Sequence, residues 1–222
     1  MEPRYHTTVS GGLSTRVSLL QFIRAFLYSS GIPNGYLVEF GVLNGGSLVE
    51  FYNILRGKLT RMLGFDSFEG LPTLQPEDQI ALEHMPIFHE GNFKSDSIDF
   101  VKQSILSNTG GLESEDLILV EGFYEKSLPT FDKSTLQDMG PCLLAHVDCD
   151  LYSSSCEVFE FLDEIVDTGT WLLLDDYWCY KGSPNHGQRK AFEEWMQKSK
   201  RVGASEYCSY NGFSKAFILH RK

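Results

Sequence analysis

Apolar and polar positions alternate along the chain in two periods, one helical and one extended. Leu13, Val17, Leu20 and Phe26/Leu27 recur at helical spacing, which predicts an amphipathic helix at the start. "GIPNG" breaks it, and "YLVEF" (36–40) is a short continuous apolar run of buried-strand type. The chain then passes through "GVLNGG" into a helix-like stretch, "SLVEFYNILRG", and on to a second strand, "RMLGF" (61–65). A helix near "SIDFVKQSIL" precedes the strand "DLILVEG" (116–122). Strand "CLLAHVD", helix "SSCEVFEFLDEIV", strand "TWLLLDD" and helix "GQRKAFEEWMQKSK" follow, and short strands near "EYCSY" and "KAFILH" close the chain. Strands alternating with helices predict an α/β fold with a mainly parallel sheet covered on both faces. In such sheets ligands sit beyond the carboxyl ends of the strands, where strand order reverses.

One segment departs from this rhythm. Residues 66–95 carry Pro72, Pro76 and Pro86 and exceed a normal connection, which predicts a lid over an active site. With no repeat or linker dividing it, the chain reads as a single domain, 1–222, with residues 1–30 as an N-terminal helix and lid.

Charge and composition narrow the function. A net charge of −11 argues against a nucleic-acid partner and against an anionic membrane surface. No apolar run approaches the ~20 residues of a membrane span. "MEPRYHTTVSGG" lacks the basic-then-apolar layout of a signal peptide. Five cysteines form no CxxC pair and leave an odd thiol, so the expectation is a cytoplasmic enzyme with reduced thiols.

The chemistry lies at the predicted strand ends. Glu39, Gly41 and Gly45 form an E-x-G-x-x-x-G turn between strand and helix, either a ligand-approaching turn or a plain tight connection. Asp66, ending the second strand, is placed for ribose hydroxyls or for a cap. Asp148 and Asp150 are expected to share one strand face, with Asp175 and Asp176 one βα unit later at the same sheet edge. Crowded carboxylates repel, and a divalent cation relieves the repulsion; oxygen ligands favour Mg²⁺ or Mn²⁺ over zinc. The alternative has Asp150 capping the next helix. His146 reads as a satisfied core histidine and His186 as an exposed loop residue. Tyr177 and Trp178 either line an acceptor pocket or pack at the sheet edge.

"VEFGVLNGGS", "GFDSFEGLP", "VEGFYEKSLP", "HVDCDLYSS" and "LLLDDYWCYKG", in that order, resemble the macrocin O-methyltransferase family over about residues 10–200. That family comprises class I, Rossmann-like enzymes that use S-adenosylmethionine and Mg²⁺, mostly to methylate sugar hydroxyls of natural products. The resemblance implies that the turn bearing Glu39, Gly41, Val42, Asn44, Gly45 and Ser47 flanks the methionine part of the cofactor. It implies Asp66 and Ser67 at the ribose, and Gly122, Phe123 and Gly91 toward the adenine. By the same mapping Asp148, Asp175 and Asp176 hold the metal, and Asp148 acts as base near the acceptor. This chain has Cys149 where the family commonly has Gly. It has Leu151 where the distantly similar catechol O-methyltransferases carry a catalytic Lys.

The expected partner is thus a small hydroxylated metabolite, with a homo-oligomer left open. Two other classes stay in view. A nucleotide-sugar glycosyltransferase also uses Asp-x-Asp to hold Mn²⁺ against a diphosphate, but does not need the glycine turn or the second aspartate pair. A non-catalytic binding protein of the same fold has no need of clustered acids.

Overall fold

Thr15 starts the first helix by capping it, its Oγ1 accepting from Ser18 N at 3.2 Å. The computed structural model describes residues 15–222. Its elements run α1 (Arg16–Ser29), β1 (Gly35–Phe40), α2 (Gly46–Leu55), β2 (Leu59–Asp66), α3 (Ala81–His84), α4 (Ile98–Asn108), β3 (Leu117–Glu121) and α5 (Tyr124–Thr130). They continue with β4 (Cys142–Val147), α6 (Tyr152–Ile165), β5 (Trp171–Leu174), α7 (Gly187–Lys198), β6 (Val202–Tyr210) and β7 (Ser214–Arg221). No described helix is long and apolar enough to cross a membrane.

The strands form one seven-stranded sheet in the order β3-β2-β1-β4-β5-β7-β6. The pairs from β3 to β5 are parallel, and β7 runs antiparallel to both β5 and β6. Strand order reverses at β1/β4. Register there is direct: Phe40 pairs with Phe65 and Val147, and Val147 with Leu174. The residues that follow, Gly41, Asp66, Asp148 and Asp175, therefore leave the sheet along one line.

Alternate strand residues feed two cores, as a pleated sheet requires. Val38, Phe40, Phe65, Val147 and Leu174 pack against Leu128, Phe159, Leu162 and Phe192 of α5–α7. Leu37, Met62, Leu144 and Leu173 face the other way, toward Leu20, Ile23, Leu48 and Phe51 of α1 and α2. Fully burying one such side chain stabilises the fold by about 1.5–3 kcal/mol.

Several expectations change. Leu13 lies outside the described residues, and Val17 is exposed; Leu19, Leu20, Ile23 and Leu27 fill the buried stripe of α1. β4 stops at Val147 and β5 at Leu174, so both aspartate pairs sit in loops beyond strand ends. Helix α5, unforeseen because Pro129 interrupts its pattern, packs beside α6. Residues 66–95 are ordered by their own contacts. Leu71 N donates to Asn92 O (2.8 Å) and Gly91 N to Leu71 O (2.9 Å). Leu71, Ala81 and Phe88 form a small apolar cluster with Leu151, Cys179 and Tyr180.

Candidate active site

The turn after β1 is held by a carboxylate. Asp66 Oδ2 accepts from Val42 N (2.7 Å) and Leu43 N (2.8 Å), and its Oδ1 accepts from Phe68 N (2.7 Å). The two bonds from Val42 and Leu43 thus tie the end of β1 to that of β2, and the third, from Phe68, closes the turn after β2. Gly41 has φ +93, and a Cβ there would lie 1.8 Å from Asp148 O. The glycine is required by the close passage of the β4 end, not only by a ligand. Gly45, at φ +78, begins α2, and a side chain there would strike Ile105. Ser67 Oγ donates to Gly70 O (2.7 Å), closing the start of the covering segment.

A cavity of about 480 Å³ opens at this edge. Of the residues singled out from the sequence, Gly41, Asp66, Ser67, Gly122, Phe123, Asp148, Cys149 and Asp150 line it. The others lie elsewhere. Glu39 is fully buried behind the turn, and Val42 packs in the core. Asn44 is exposed, with its Oδ1 3.5 Å from Asp96 N. Gly45 and Ser47 sit at the start of α2, and Gly91 (φ +75) forms a turn of the covering segment. Residues absent from that set complete the walls: Leu43, Phe93, Tyr124, and Ser153, Ser154 and Glu157 on α6. The last three stand at i, i+1 and i+4, a helical face that a pass for motifs alone does not register.

Asp148, Asp150 and Asp176 come together beside the cavity, each offering an oxygen within 4.8 Å of the others. Burial, followed by mutual repulsion, pushes all three carboxyl groups well above the usual carboxylate range. Strand alternation does not produce this grouping. Asp150 takes the left-handed conformation (φ +62), with its N–H donating to Asp176 Oδ2 (3.0 Å) and its carbonyl accepting from Tyr180 Oη (3.2 Å). Nor does Asp150 cap α6. That helix begins at Leu151 without a side-chain cap of its own, and Asp78 Oδ1 accepts from Tyr152 N (2.8 Å) and Ser153 N (3.4 Å) instead.

Asp175 is turned the other way. Ser214 Oγ donates to its Oδ1 (2.9 Å), and His146 Nε2 stands 3.7 Å from the same atom. Burial works to raise its pKa, but His146 and Ser214 more than offset this and hold it below the ordinary value. His146 is fully buried, with Nδ1 2.8 Å from Glu39 Oε1. Burial opposes its charge, yet Asp175 and Glu39 together hold its pKa up at about 10. Tyr177 packs against Phe192 and Phe217, and Trp178 Nε1 donates to Ser209 Oγ (2.9 Å), so neither lines the cavity. His186 is half-buried beside His84 and Tyr180. All five cysteines are free thiols; burial pushes Cys142 up to about 12, consistent with packing rather than nucleophilic roles.

The donor set fits a hard cation. Three carboxylates share one space, and among the described residues no Lys, Arg or His lines the adjoining cavity. The cavity also fits a nucleoside-bearing cofactor. It lies at the switch point, with the stapled glycine turn on one wall and Phe123 and Tyr124 offering aromatic surface on another. Behind the turn, Glu39 Oε2 is buried without a partner.

Comparison with known proteins agrees with this geometry. The chain is 27% identical over 175 residues to an 8-demethyl-8-(2,3-dimethoxy-alpha-L-rhamnosyl)-tetracenomycin-C 4'-O-methyltransferase of Streptomyces olivaceus, covering 78% of this chain and 62% of that one. It is 27% identical over 146 residues to a demethyldecarbamoylnovobiocin O-methyltransferase of Streptomyces niveus, covering 64% of this chain and 53% of that one. The chain thus spans between half and two thirds of the length of these relatives. Among solved structures, the O-methyltransferase NovP superposes with a TM-score of 0.69 at 18% identity, over 91% of this chain and 78% of that one. The calicheamicin methyltransferase CalS11 gives 0.68 at 21%, over 91% and 79%. The fold is that of the class I methyltransferases. The Macrocin-O-methyltransferase (TylF) family model matches residues 2–200, and the chain belongs to that family.

Proposed function

We propose that this protein is an S-adenosylmethionine-dependent, divalent-cation-dependent O-methyltransferase that acts on a hydroxyl of a small natural product, foremost on a sugar moiety. Family membership and the activities for which the two Streptomyces relatives are named support the reaction and the acceptor class. The observation that carries the reading is one cavity with the Asp66-stapled turn at one side and the Asp148–Asp150–Asp176 cluster at the other.

S-adenosylmethionine supplies an electrophilic methyl group, and a divalent cation supplies Lewis acidity at the acceptor hydroxyl. The chain's own residues do the rest. Asp66, Ser67, Gly122 and Phe123 bind and orient the cofactor. Asp148, Asp150 and Asp176 hold the cation, and Asp175, fixed by Ser214 and His146, backs that cluster rather than completing it. Methyl transfer to an acceptor oxygen releases the hydroxyl proton, and Asp148, a cavity-lining carboxylate of the cluster, is the residue that would take it. General-base assistance of this kind contributes about 10²–10⁴-fold.

Charge refines the acceptor. Among the described residues, Asp66, Glu125, Asp148, Asp150 and Glu157 line the cavity with no Lys, Arg or His to answer them. A cationic sulfonium suits such walls and a pyrophosphate does not, which favours an uncharged glycoside and speaks against the glycosyltransferase reading. Isothermal titration tests this. Binding of S-adenosylhomocysteine without binding of UDP supports the proposal, and the reverse result refutes it.

A further inference from the structure

Asp78 is an unusual residue for a segment that covers a cavity. It belongs to a short 3₁₀ turn (Pro76–Asp78) in a stretch whose neighbours Gln75, Glu77 and Gln79 are exposed, yet it is only 1% exposed itself. Its carboxylate points inward to the first turn of α6, where Oδ1 accepts from Tyr152 N (2.8 Å) and Ser153 N (3.4 Å), while Oδ2 is buried without a partner among the described residues. A helix that starts at an apolar Leu151 leaves its first amides without a local acceptor. The acceptor here comes from 74 residues earlier in the chain.

What this cap adjoins gives it meaning. The two amides immediately follow residues 148–151, the loop that carries Asp148 and Asp150. Asp150 sits in a left-handed conformation, which a residue other than glycine holds only when its surroundings fix it. Within the loop, Leu151 N donates to Cys149 O (2.6 Å) and closes a tight turn around Asp150; three groups from outside the loop add to this, Asp176 Oδ2 on its N–H, Tyr180 Oη on its carbonyl, and Asp78 on the amides just beyond. Tyr180 also belongs to the apolar cluster through which Leu71, Ala81 and Phe88 seat the covering segment on Leu151. Gly187, where a Cβ would lie 2.3 Å from the Tyr180 ring, leaves the room this packing needs.

We propose that Asp78 is a positioning residue which, with Tyr180, locks the acid-bearing loop 148–151 to the covering segment, so that roof and carboxylate cluster are set together. When the segment lifts, Asp78 leaves Tyr152 and Ser153 without their acceptor, and the loop loses one of the three outside groups that hold Asp150. The catalytic consequence rests on the methyltransferase reading above; the mechanical coupling does not.

The test is hydrogen exchange by mass spectrometry on the wild type, Asp78→Ala, Asp78→Asn and Tyr180→Phe, with Mn²⁺ affinity measured by electron spin resonance. In Asp78→Ala, exchange should quicken by roughly tenfold in peptides of the covering segment and in those spanning residues 148–155 together, as loss of a cap allows. Peptides of β1 and β2 should stay unchanged, showing that the sheet is intact. Mn²⁺ affinity should fall by about tenfold while S-adenosylhomocysteine affinity changes by less than about threefold, because Asp148 and Asp150 lie in the loop whereas Asp66, Ser67, Gly122 and Phe123, assigned to the cofactor, do not. Asp78→Asn, which keeps a carbonyl acceptor, should recover most of both, and Tyr180→Phe should show the same pattern more weakly. Faster exchange confined to the covering segment, with residues 148–155 and Mn²⁺ affinity unchanged, would overturn the proposal. Should Asp78→Ala not fold, the paired responses of Asp78→Asn and Tyr180→Phe decide in the same way. A wild type that takes up Mn²⁺ but not S-adenosylhomocysteine would defeat the methyltransferase reading and leave the coupling to stand or fall on the exchange data.

Discussion

Glu39 and His146 are direct neighbours on adjacent parallel strands, fully buried, with His146 Nδ1 2.8 Å from Glu39 Oε1. The other ring nitrogen stands 3.7 Å from Asp175 Oδ1, so the imidazole bridges two carboxylates behind the cavity wall. A buried charge this close to two opposite charges persists only because it is paired.

The histidine makes stability depend on pH. Its pKa is held up at about 10, whereas an unfolded chain titrates near ~6.5. The folded state therefore keeps a proton that the unfolded state has lost, and stability falls as pH rises through that window. Thermal unfolding at pH 6.5, 8 and 9.5 should show the wild type losing more stability than His146→Gln over the same range. Parallel pH curves for the two proteins would refute the bridge.

The acid cluster predicts proton release. Asp148, Asp150 and Asp176 all titrate above the ordinary range, so a share of them carries protons that a cation must displace. Mg²⁺ or Mn²⁺ should bind more tightly at pH 8 than at pH 6, with protons released in calorimetry that depend on the buffer's ionisation heat. Asp176→Asn should weaken cation binding by tenfold or more, a loss of at least about 1.4 kcal/mol.

Asp66 carries the turn as well as its proposed ligand. Asp66→Ala removes three backbone-amide bonds and should destabilise the fold by about 2–4 kcal/mol, given about 1.5–3 for a hydrogen bond to a charged group with partial relaxation. Denaturant unfolding measures this, and S-adenosylhomocysteine affinity should drop in the same variant.

Gly41→Ala places a methyl 1.8 Å from Asp148 O at φ +93. The clash and the strain should together cost about 2–4 kcal/mol. Gly91→Ala, equally left-handed but with open space around it, should cost about 1 kcal/mol, so the difference reports the close passage of β1 and β4.

The α/β order was legible because apolar runs such as "YLVEF" and "CLLAHV" are of buried-strand type, and most of them alternate with stretches of helical period. The strand-end residues Gly41, Asp66 and Asp148 were legible for the same reason, since parallel strands deliver their ends to one edge, whereas Gly122 was reached only through the family resemblance. Glu39 reaches the turn only from behind, because an even step along β1 keeps it on the face of Leu37. Asp150, expected as a possible cap, groups with Asp148 and Asp176, while Asp175 turns to Ser214 and His146. Strand periodicity ends one residue before Asp148, and a left-handed residue follows no alternation. Asp78 left no local signature: its partners lie 74 and 75 residues away. Helix α5 was hidden by Pro129, which sits near its C-terminal end, where a helix interrupted in this way still pairs with α6.

The most direct test is methyl transfer by Asp148→Ala from labelled S-adenosylmethionine to a panel of neutral glycosides, run beside calorimetry with S-adenosylhomocysteine. Turnover should fall by at least about 10²-fold while cofactor affinity stays within about threefold of the wild type. Unchanged turnover in that variant, or a wild type that binds no S-adenosylhomocysteine, would contradict the account.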